Sequence, residues 1–287
     1  MHKKQKVLTA ILIAIGGIVG IGLGMMCYRQ YNAEKLEPMS VTLLKVGKAD
    51  AIVLIEKDKT MVIDAGEEED GEELVEFLKN QGVSLVDTLI ITHFDRDHVG
   101  GADTLVEELE IGQVIVPDYT GNSTEYLDFT DALQQKGIVP LQLTQSMSFA
   151  LGEAVVFVEP PVSYESQDSS LEVDNNFSLI TRVTHGKNTF LFMGDAEKKR
   201  IREWASSSTA APCDFIKMPH HGVYNTALQL LINTTKPKYA AICSSNKHPA
   251  DAETVNLLKQ FGVQTFETKD GDVVVISDGN HLETQVS

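Results

Sequence analysis

Apolar and polar positions change rhythm several times along this 287-residue chain, and each change predicts an element. Val7 to Met26 carries no charge. From residue 40 the pattern shortens to β-rich runs, Val41 to Val46, Ala51 to Glu56 and Met61 to Asp64, with turns at Gly47 and Lys57-Asp58-Lys59. Such runs between turn residues predict small meander strands. Glu72 to Asn80 then places Leu74, Phe77 and Leu78 on one helical face. Strand and helix patterns alternate from there: strand Thr88 to Thr92, helix Thr104 to Glu110, strand Gln113 to Val116, helix Tyr126 to Gln135, strands Ile138 to Leu143 and Ala154 to Glu159. Ser163 to Asn175 is polar and predicts a loop. Leu179 to Val183 and Thr189 to Met193 predict a hairpin around His185-Gly186-Lys187, which would leave His185 exposed in a turn. Helix Ala196 to Ser206 follows. Strand Asp214 to Met218, helix Tyr224 to Asn233 and strand Tyr239 to Cys243 come next, and runs Gln264 to Glu267 and Val273 to Ile276 close the chain. Two meander stretches, each followed by mixed elements, predict an α/β fold of two face-to-face sheets with helices outside. The pattern reads as one domain over 40–287.

The first 30 residues are a different material. Lys3, Lys4 and Lys6 precede the twenty uncharged residues. A helix of that length spans about 30 Å, the thickness of a bilayer core. Lysines ahead of the span predict a single-pass N-terminal transmembrane helix over 1–30, with a linker over 31–39 and the body extracytoplasmic. A cleaved signal sequence releasing a secreted protein is the alternative, although no Ala-x-Ala site follows. Cys27 raises a lipoprotein, to which Gly24-Met25-Met26 is a poor lead. Five glycines in the span weigh against a water-soluble core helix.

Past residue 35 the balance is strongly acidic, with 19 basic and 40 acidic residues. That surface repels nucleic acid at long range, so no stable nucleic-acid binding is expected, though a metal-dependent nuclease stays compatible. Cys213 and Cys243 fall at opposite ends of two parallel strands, which predicts no disulfide.

The chemistry concentrates at strand ends. His93-Phe94-Asp95-Arg96-Asp97-His98 packs two imidazoles and two carboxylates into six residues directly after an apolar run. Such a density resists burial unless a cation sits among the groups. Gly194-Asp195, His220-His221 and Ser244-x-Asn246-x-His248 also follow apolar runs. Loops at carboxyl ends of strands form one edge in open α/β sheets, so these groups would converge there.

These residues also form a motif series. Thr92-His93-x-Asp95-x-Asp97-His98-x-Gly100-Gly101 resembles the signature of the metallo-β-lactamase-fold hydrolases, in the HxDxDH variant of the ComEC/competence-protein-like branch. Val46-Gly47-Lys48-Ala49-Asp50 resembles that branch's VGQGD segment, with Gln and the second Gly replaced. Ile63-Asp64-Ala65-Gly66, Asn175-Asn176-x-Ser178-Leu179, Met193-Gly194-Asp195, Lys217-x-Pro219-His220-His221-Gly222 and Asn246-x-His248-Pro249 resemble its later motifs, in order over about 40–280. The multi-span channel of ComEC is absent from the match.

The resemblance implies an αββα sandwich and one or two divalent ions, Zn²⁺ or Mn²⁺. It implies His93, Asp95, Asp97 and His98 as ligands, Asp195 as a bridging carboxylate, and one of His220 and His221, with His221 preferred. Asp64 and Asp50 would support the ligands from behind. His248 would contact substrate or donate a proton. Many relatives carry a further histidine ligand before the Gly-Asp motif; here Asn176 or Ser178 stands in that segment, both expected to support the ligands from behind. One metal position would then be built from His93, Asp95, Asp195 and water, and the other from Asp97, His98, Asp195 and His221. A carboxylate-rich set brings Mn²⁺ into competition with Zn²⁺.

The expected reaction is hydrolysis by a metal-activated water, with Asp97 orienting that water and accepting its proton. No GxSxG stretch is present to supply a covalent nucleophile. A phosphodiester, DNA among the possibilities, is the favoured substrate class. An ester, lactone or β-lactam hydrolase on the same fold is the first alternative. A metal-stabilised accessory domain without turnover is the second, kept open by the altered Lys48-Ala49 and by Val223 in place of the family's Ser.

Overall fold

The computed structural model describes residues 36–163 and 174–287. The span Val7 to Met26, with the anchor or signal read from it, lies outside the described residues, as do most of the linker and positions 164–173. Among the described residues no helix is long and apolar enough to cross a membrane.

The body from Glu37 to Ser287 uses one plan twice. Its first half runs β1 (Met39–Leu43), β2 (Ala51–Glu56), β3 (Lys59–Ala65), helix α1 (Gly71–Asn80), β4 (Leu85–Val86), β5 (Thr88–Ile90), α2 (Arg96–Val99), α3 (Ala102–Glu108), β6 (Glu110–Ile111), β7 (Val114–Pro117), α4 (Thr124–Lys136) and β8 (Leu141–Leu143). The second half runs β9 (Met147–Leu151), β10 (Ala154–Glu159), β11 (Ile180–His185), β12 (Asn188–Phe192), α5 (Lys198–Ala205), β13 (Phe215–Lys217), α6 (Leu228–Thr235), β14 (Tyr239–Ile242), α7 (Ala252–Gln260) and β15 (Gln264–Glu267). Strands β16 (Val273–Ser277) and β17 (Leu282–Val286) then return to the first sheet.

The first sheet is ordered β17-β16-β1-β2-β3-β5-β7-β8 and the second β15-β14-β13-β12-β11-β10-β9. In each, antiparallel meander strands lead into parallel strands joined by helices. Parallel crossovers cover the sheet's outer face, so its strands are apolar on both sides. β2, Ala-Ile-Val-Leu-Ile-Glu, shows this: five of its six residues are buried. Ile52 and Leu54 face the second sheet, in a core shared with Phe190, Phe192 and Phe215. Val53 packs outward with Leu74, Leu78 and Leu105 of α1 and α3. Leu191, Ile216 and Ala240 on the far side of the second sheet meet Ile201, Trp204, Leu231 and Leu258 of its helices. Three apolar layers between four structural layers make the molecule an αββα sandwich.

Local chemistry sets the boundaries. Ser123 Oγ accepts from Tyr126 N at 3.1 Å to begin α4, and Gly137 ends it in a left-handed turn (φ 69). Pro140 follows, so the strand expected from Ile138 starts only at Leu141. Asn225 Oδ1 accepts from Ala227 N at 2.9 Å, which turns the chain and delays the helix expected at Tyr224 to Leu228. β9 and β17, not expected from the pattern, are edge strands whose outer residues include Ser148, Ala150, Glu283 and Gln285. Edge strands need no continuous apolar run.

His185 departs from expectation. It is fully buried, with Nδ1 2.8 Å from Ser277 Oγ, because the β16–β17 turn folds over the hairpin and accepts Lys187 N at Gly279 O (2.7 Å). It closes the end of β11 away from Thr92, whose carbonyl accepts Leu179 N at that strand's start.

Candidate metal centre

Asp64, the penultimate residue of β3, has a left-handed backbone (φ 58) and is fully buried. Its carboxylate accepts three hydrogen bonds of 2.7 Å, from Thr92 N, Thr92 Oγ1 and His98 Nδ1. A carboxylate only accepts, so His98 carries its proton at Nδ1 and Nε2 is its open position. Thr92 gives its hydroxyl proton to Asp64 and so accepts from His93 Nδ1 at 3.0 Å, which makes Nε2 the open position of His93 too. Phe94 between them is pinned: its N–H donates to Tyr119 Oη at 2.8 Å, and its ring lies against Tyr119 and Tyr126. Gly100 and Gly101 let this loop lie on the 65–71 backbone. A Cβ on Gly100 would come within 2.4 Å of Glu68 N, and one on Gly101 within 2.6 Å of Ala65 O.

The second sheet delivers the rest. Asp195 follows β12 after a left-handed Gly194 (φ 52), and Ser178 Oγ accepts its N–H at 3.0 Å. His220 and His221 follow β13 as two successive left-handed residues, φ 47 and 51. His221 donates from Nδ1 to the Cys243 carbonyl at 3.2 Å, leaving Nε2 open. Non-glycine residues in this conformation cost roughly 1–2 kcal/mol each and cluster where function requires them.

Asp97, His98, Asp195 and His221 each offer an atom such that all lie within 4.8 Å of one another. His98 Nε2 stands 3.2 Å from Asp195 Oδ1, and His221 Nε2 lies 3.1 Å from Asp195 Oδ2 and 3.3 Å from Asp97 Oδ2. Yet His93 Nε2, His98 Nε2, His221 Nε2 and Asp195 Oδ1 are buried without a hydrogen bond. Buried polar atoms are ordinarily paired, so a converging set of this kind fits a divalent ion.

The same cluster polarises itself. Burial opposes charge on Asp195, but His221, His98 and Lys217 hold its carboxyl well below the usual range. Burial also opposes charge on His98, and Asp195, Asp64 and Asp50 drive it well above the ordinary histidine value. A proton and a metal ion therefore compete for the same Nε2 atoms. Lys217, fully buried, pairs with Asp50 Oδ2, lies 3.5 Å from Asp195 Oδ1 and donates to Gly194 O at 3.2 Å.

Against known proteins, the model of the metallo-beta-lactamase superfamily matches residues 44–245, a stretch holding every group just described. The chain belongs to that superfamily. Curated relatives of this metallo-beta-lactamase chain include ComE operon protein 3 of Bacillus subtilis (strain 168), 22% identical over 214 residues that cover 74% of this chain and 27% of the relative. Recombination protein 2 of Haemophilus influenzae is 24% identical over 238 residues, 81% of this chain and 27% of the relative. They match the ComEC-like branch indicated by the motifs, and the chain spans about a quarter of their length. In fold it is similar to the metallo-beta-lactamase fold protein YhfI from Bacillus subtilis, with TM-score 0.53 and 10% identity over 87% of this chain and 100% of that one.

Within this metallo-beta-lactamase sandwich the residues singled out from the sequence take unequal places. Asp97, His98, Asp195 and His221 form the tight group. His93 packs against His98 with ring centroids 4.1 Å apart and planes tilted by 51°, and Asp95 Oδ2 lies 3.6 Å from His93 Nε2 at the more exposed edge. His220 stands farther out, its Nε2 3.9 Å from Asp195 Oδ2. Asp50 lies behind, 3.6 Å from His221 Nδ1, and its N–H donates to Asp97 O at 3.0 Å. Ser178 holds Asp195. Asn176 Oδ1 accepts Arg200 N at 3.0 Å. His248 is exposed on the wall of the adjoining cleft. Lys217 and Glu197 were missed. Lys217 stood inside a quoted motif, and a lone lysine closing an apolar strand was the available signal.

The cleft beside the centre has a volume of about 750 Å³ and opens on Asp95 and Asp97. Seven acids line it, among them Asp70, against the cations Lys45, Lys48, Arg96 and Lys247, with His248 beside them. Burial, with Glu69, Glu67 and Glu73 nearby, raises the Asp70 carboxyl to about 6, although it accepts Glu67 N at 2.8 Å. The native state therefore keeps a proton that the unfolded chain releases near pH 4, so this residue's contribution to stability falls as pH rises from about 4 to 6. Asp70→Asn in the metal-free protein is expected to match the parent near pH 4 and to exceed it by up to about 1 kcal/mol at pH 7, the half-exposed position being screened by solvent. Urea denaturation at the two pH values checks this; an equal difference at both contradicts it.

Proposed function

We propose that this chain is a metal-dependent phosphodiesterase, held at the membrane by its N-terminal span with the catalytic body outside. The carrying observation is the group Asp97, His98, Asp195 and His221, buried except for Asp97, which borders the cleft, and with its imidazole Nε2 atoms unpaired. These four residues would hold a divalent ion, and two imidazoles with two carboxylates suit Zn²⁺ or Mn²⁺. Such an ion lowers the pKa of a bound water from about 16 to roughly 7.

The side chains do the rest. Asp97 is less buried than its partners and stands between His221 and the cleft, 3.8 Å from Lys48 Nζ. There it orients the attacking water and takes its proton on a carboxylate oxygen. Asp64 and the Cys243 carbonyl fix the tautomers of His98 and His221 and so leave Nε2 as the donor atom each would offer to an ion. Lys45, Lys48 and Lys247 would pair with an anionic phosphodiester from within an otherwise acidic cleft, the divalent ion offsetting the acids nearest to it, and His248 would contact the substrate from the same lining. The competence and recombination relatives support DNA as the natural phosphodiester. The acidic surface argues for turnover without tight retention.

The test is hydrolysis by the full chain, reloaded with Zn²⁺ or Mn²⁺, of bis-p-nitrophenyl phosphate, linear DNA and nitrocefin. Cleavage of the first two, abolished by a chelator, is expected. Opening of nitrocefin with both phosphodiesters intact would replace this reading by a β-lactam or ester hydrolase.

A further inference from the structure

The resemblance assigns one histidine of the pair His220-His221 to the centre and leaves a second metal position short of an imidazole. Geometry places the other histidine beside the same centre. Three imidazoles there hydrogen-bond through Nδ1 to a fixed acceptor, Thr92 Oγ1 for His93 (3.0 Å), Asp64 for His98 (2.7 Å) and the Cys243 carbonyl for His221 (3.2 Å). The fourth, His220, has Nδ1 in an ion-pair contact with Glu197 Oε1 at 3.3 Å. An acceptor behind one ring nitrogen is the usual companion of a metal-ligating histidine, because it sets the tautomer and aims the other nitrogen. Glu197 is itself steadied by Asn175 Nδ2 at 3.5 Å.

Three of these Nε2 atoms converge on one carboxylate, with His98 at 3.2 Å, His221 at 3.1 Å and His220 at 3.9 Å from Asp195 oxygens. His220 and His221, two successive left-handed residues, both lie against Asp195, their rings at an interplanar angle of 69°. His93 Nε2 is buried and makes no hydrogen bond, and Asp95 Oδ2 lies 3.6 Å from it; His93, Asp95 and His220 stand outside the two donor groups gathered within 4.8 Å.

We propose that His220, oriented by Glu197, is a metal donor in its own right, so that the two adjacent histidines serve two different ions. His221 would act with Asp97, His98 and Asp195, and His220 with Asp195, His93 and Asp95. The proposal rests on the metal-centre reading above. Because the second set is less tightly gathered, its ion is the weaker of the two.

Zinc content decides it, without reference to turnover. Full-length protein stripped with chelator is titrated with Zn²⁺, with bound metal counted by mass spectrometry and folding followed by circular dichroism. The parent should take up two ions of unequal affinity. His220→Asn, chosen because asparagine tolerates the left-handed backbone, should keep the tight ion and lose the weak one. Glu197→Gln should keep both, with the weaker dissociation constant raised about 10–100-fold. His221→Asn should lose the tight ion. Two ions at parental affinity in His220→Asn, or one ion in the parent, overturns the proposal. Should His220→Asn misfold, an unchanged second constant in Glu197→Gln overturns it equally. A parent that binds no zinc defeats the metal-centre reading itself, a different failure from these.

Discussion

Asp97→Ala, assayed at saturating metal, loses phosphodiester turnover by about 10²–10⁴-fold while its far-UV circular dichroism stays that of the parent. The size follows from two roles removed together. Asp97 Oδ2 lies 3.3 Å from His221 Nε2 within the donor group, and the same carboxylate borders the cleft where a water would be deprotonated. The preserved fold follows from position. Asp97 is a partly exposed residue of a short helix, and its backbone carbonyl, which accepts Asp50 N at 3.0 Å, is untouched by the substitution. Salt and pH should not restore activity, since no neighbouring side chain replaces the lost oxygen. Turnover within threefold of the parent would remove Asp97 from the mechanism.

The second large effect concerns stability. Lys217→Met in the metal-free protein is expected to cost about 3–5 kcal/mol, because it leaves Asp50 as a buried carboxylate without its cation. Burial opposes the charge of both partners; their attraction, with help from His98 and His221 on one side and Asp195 on the other, lowers Asp50 and raises Lys217 from their ordinary values. A methionine keeps the length of the lysine stem, so little of the cost comes from a cavity. Asp50→Asn combined with Lys217→Met removes both charges and should recover most of the loss. Urea denaturation of the four proteins closes the cycle. A single Lys217→Met variant within about 1 kcal/mol of the parent would show that the pair does not stabilise the fold.

What was legible in the sequence was whatever local pattern encodes. His93, Asp95, Asp97 and His98 announced themselves because four ionisable groups after an apolar strand have few alternatives to a cation. Asp195 and His221 were legible for the same reason, each following an apolar run at a strand's carboxyl end. The two-sheet sandwich with outer helices was legible in the repeated order of elements. Lys217 was not: the fact that gives it meaning is Asp50, and only the packing of the two sheets brings residues so distant together. Glu197 was hidden likewise, an acid at a helix start until His220 turns left-handed toward it. His185 misled because its burial comes from a turn almost a hundred residues later. The partner of Asn176 was not legible, because a short 3₁₀ turn, Asn175–Phe177, sets its amide against the backbone N–H of Arg200, more than twenty residues away.

The return of β16 to pair with β1, Val41 opposite Val275, has a consequence for the order of events during synthesis. The loop carrying His93 and His98 leaves the ribosome about a hundred residues before Asp195, and the strand that completes the first sheet comes later still. Until then β1 is a bare edge and the two sheets lack part of their shared core. Contacts this distant in sequence form slowly. A divalent ion that needs donors from both sheets would thus meet its full set only once His221 and the second sheet are in place, late in folding rather than at its beginning.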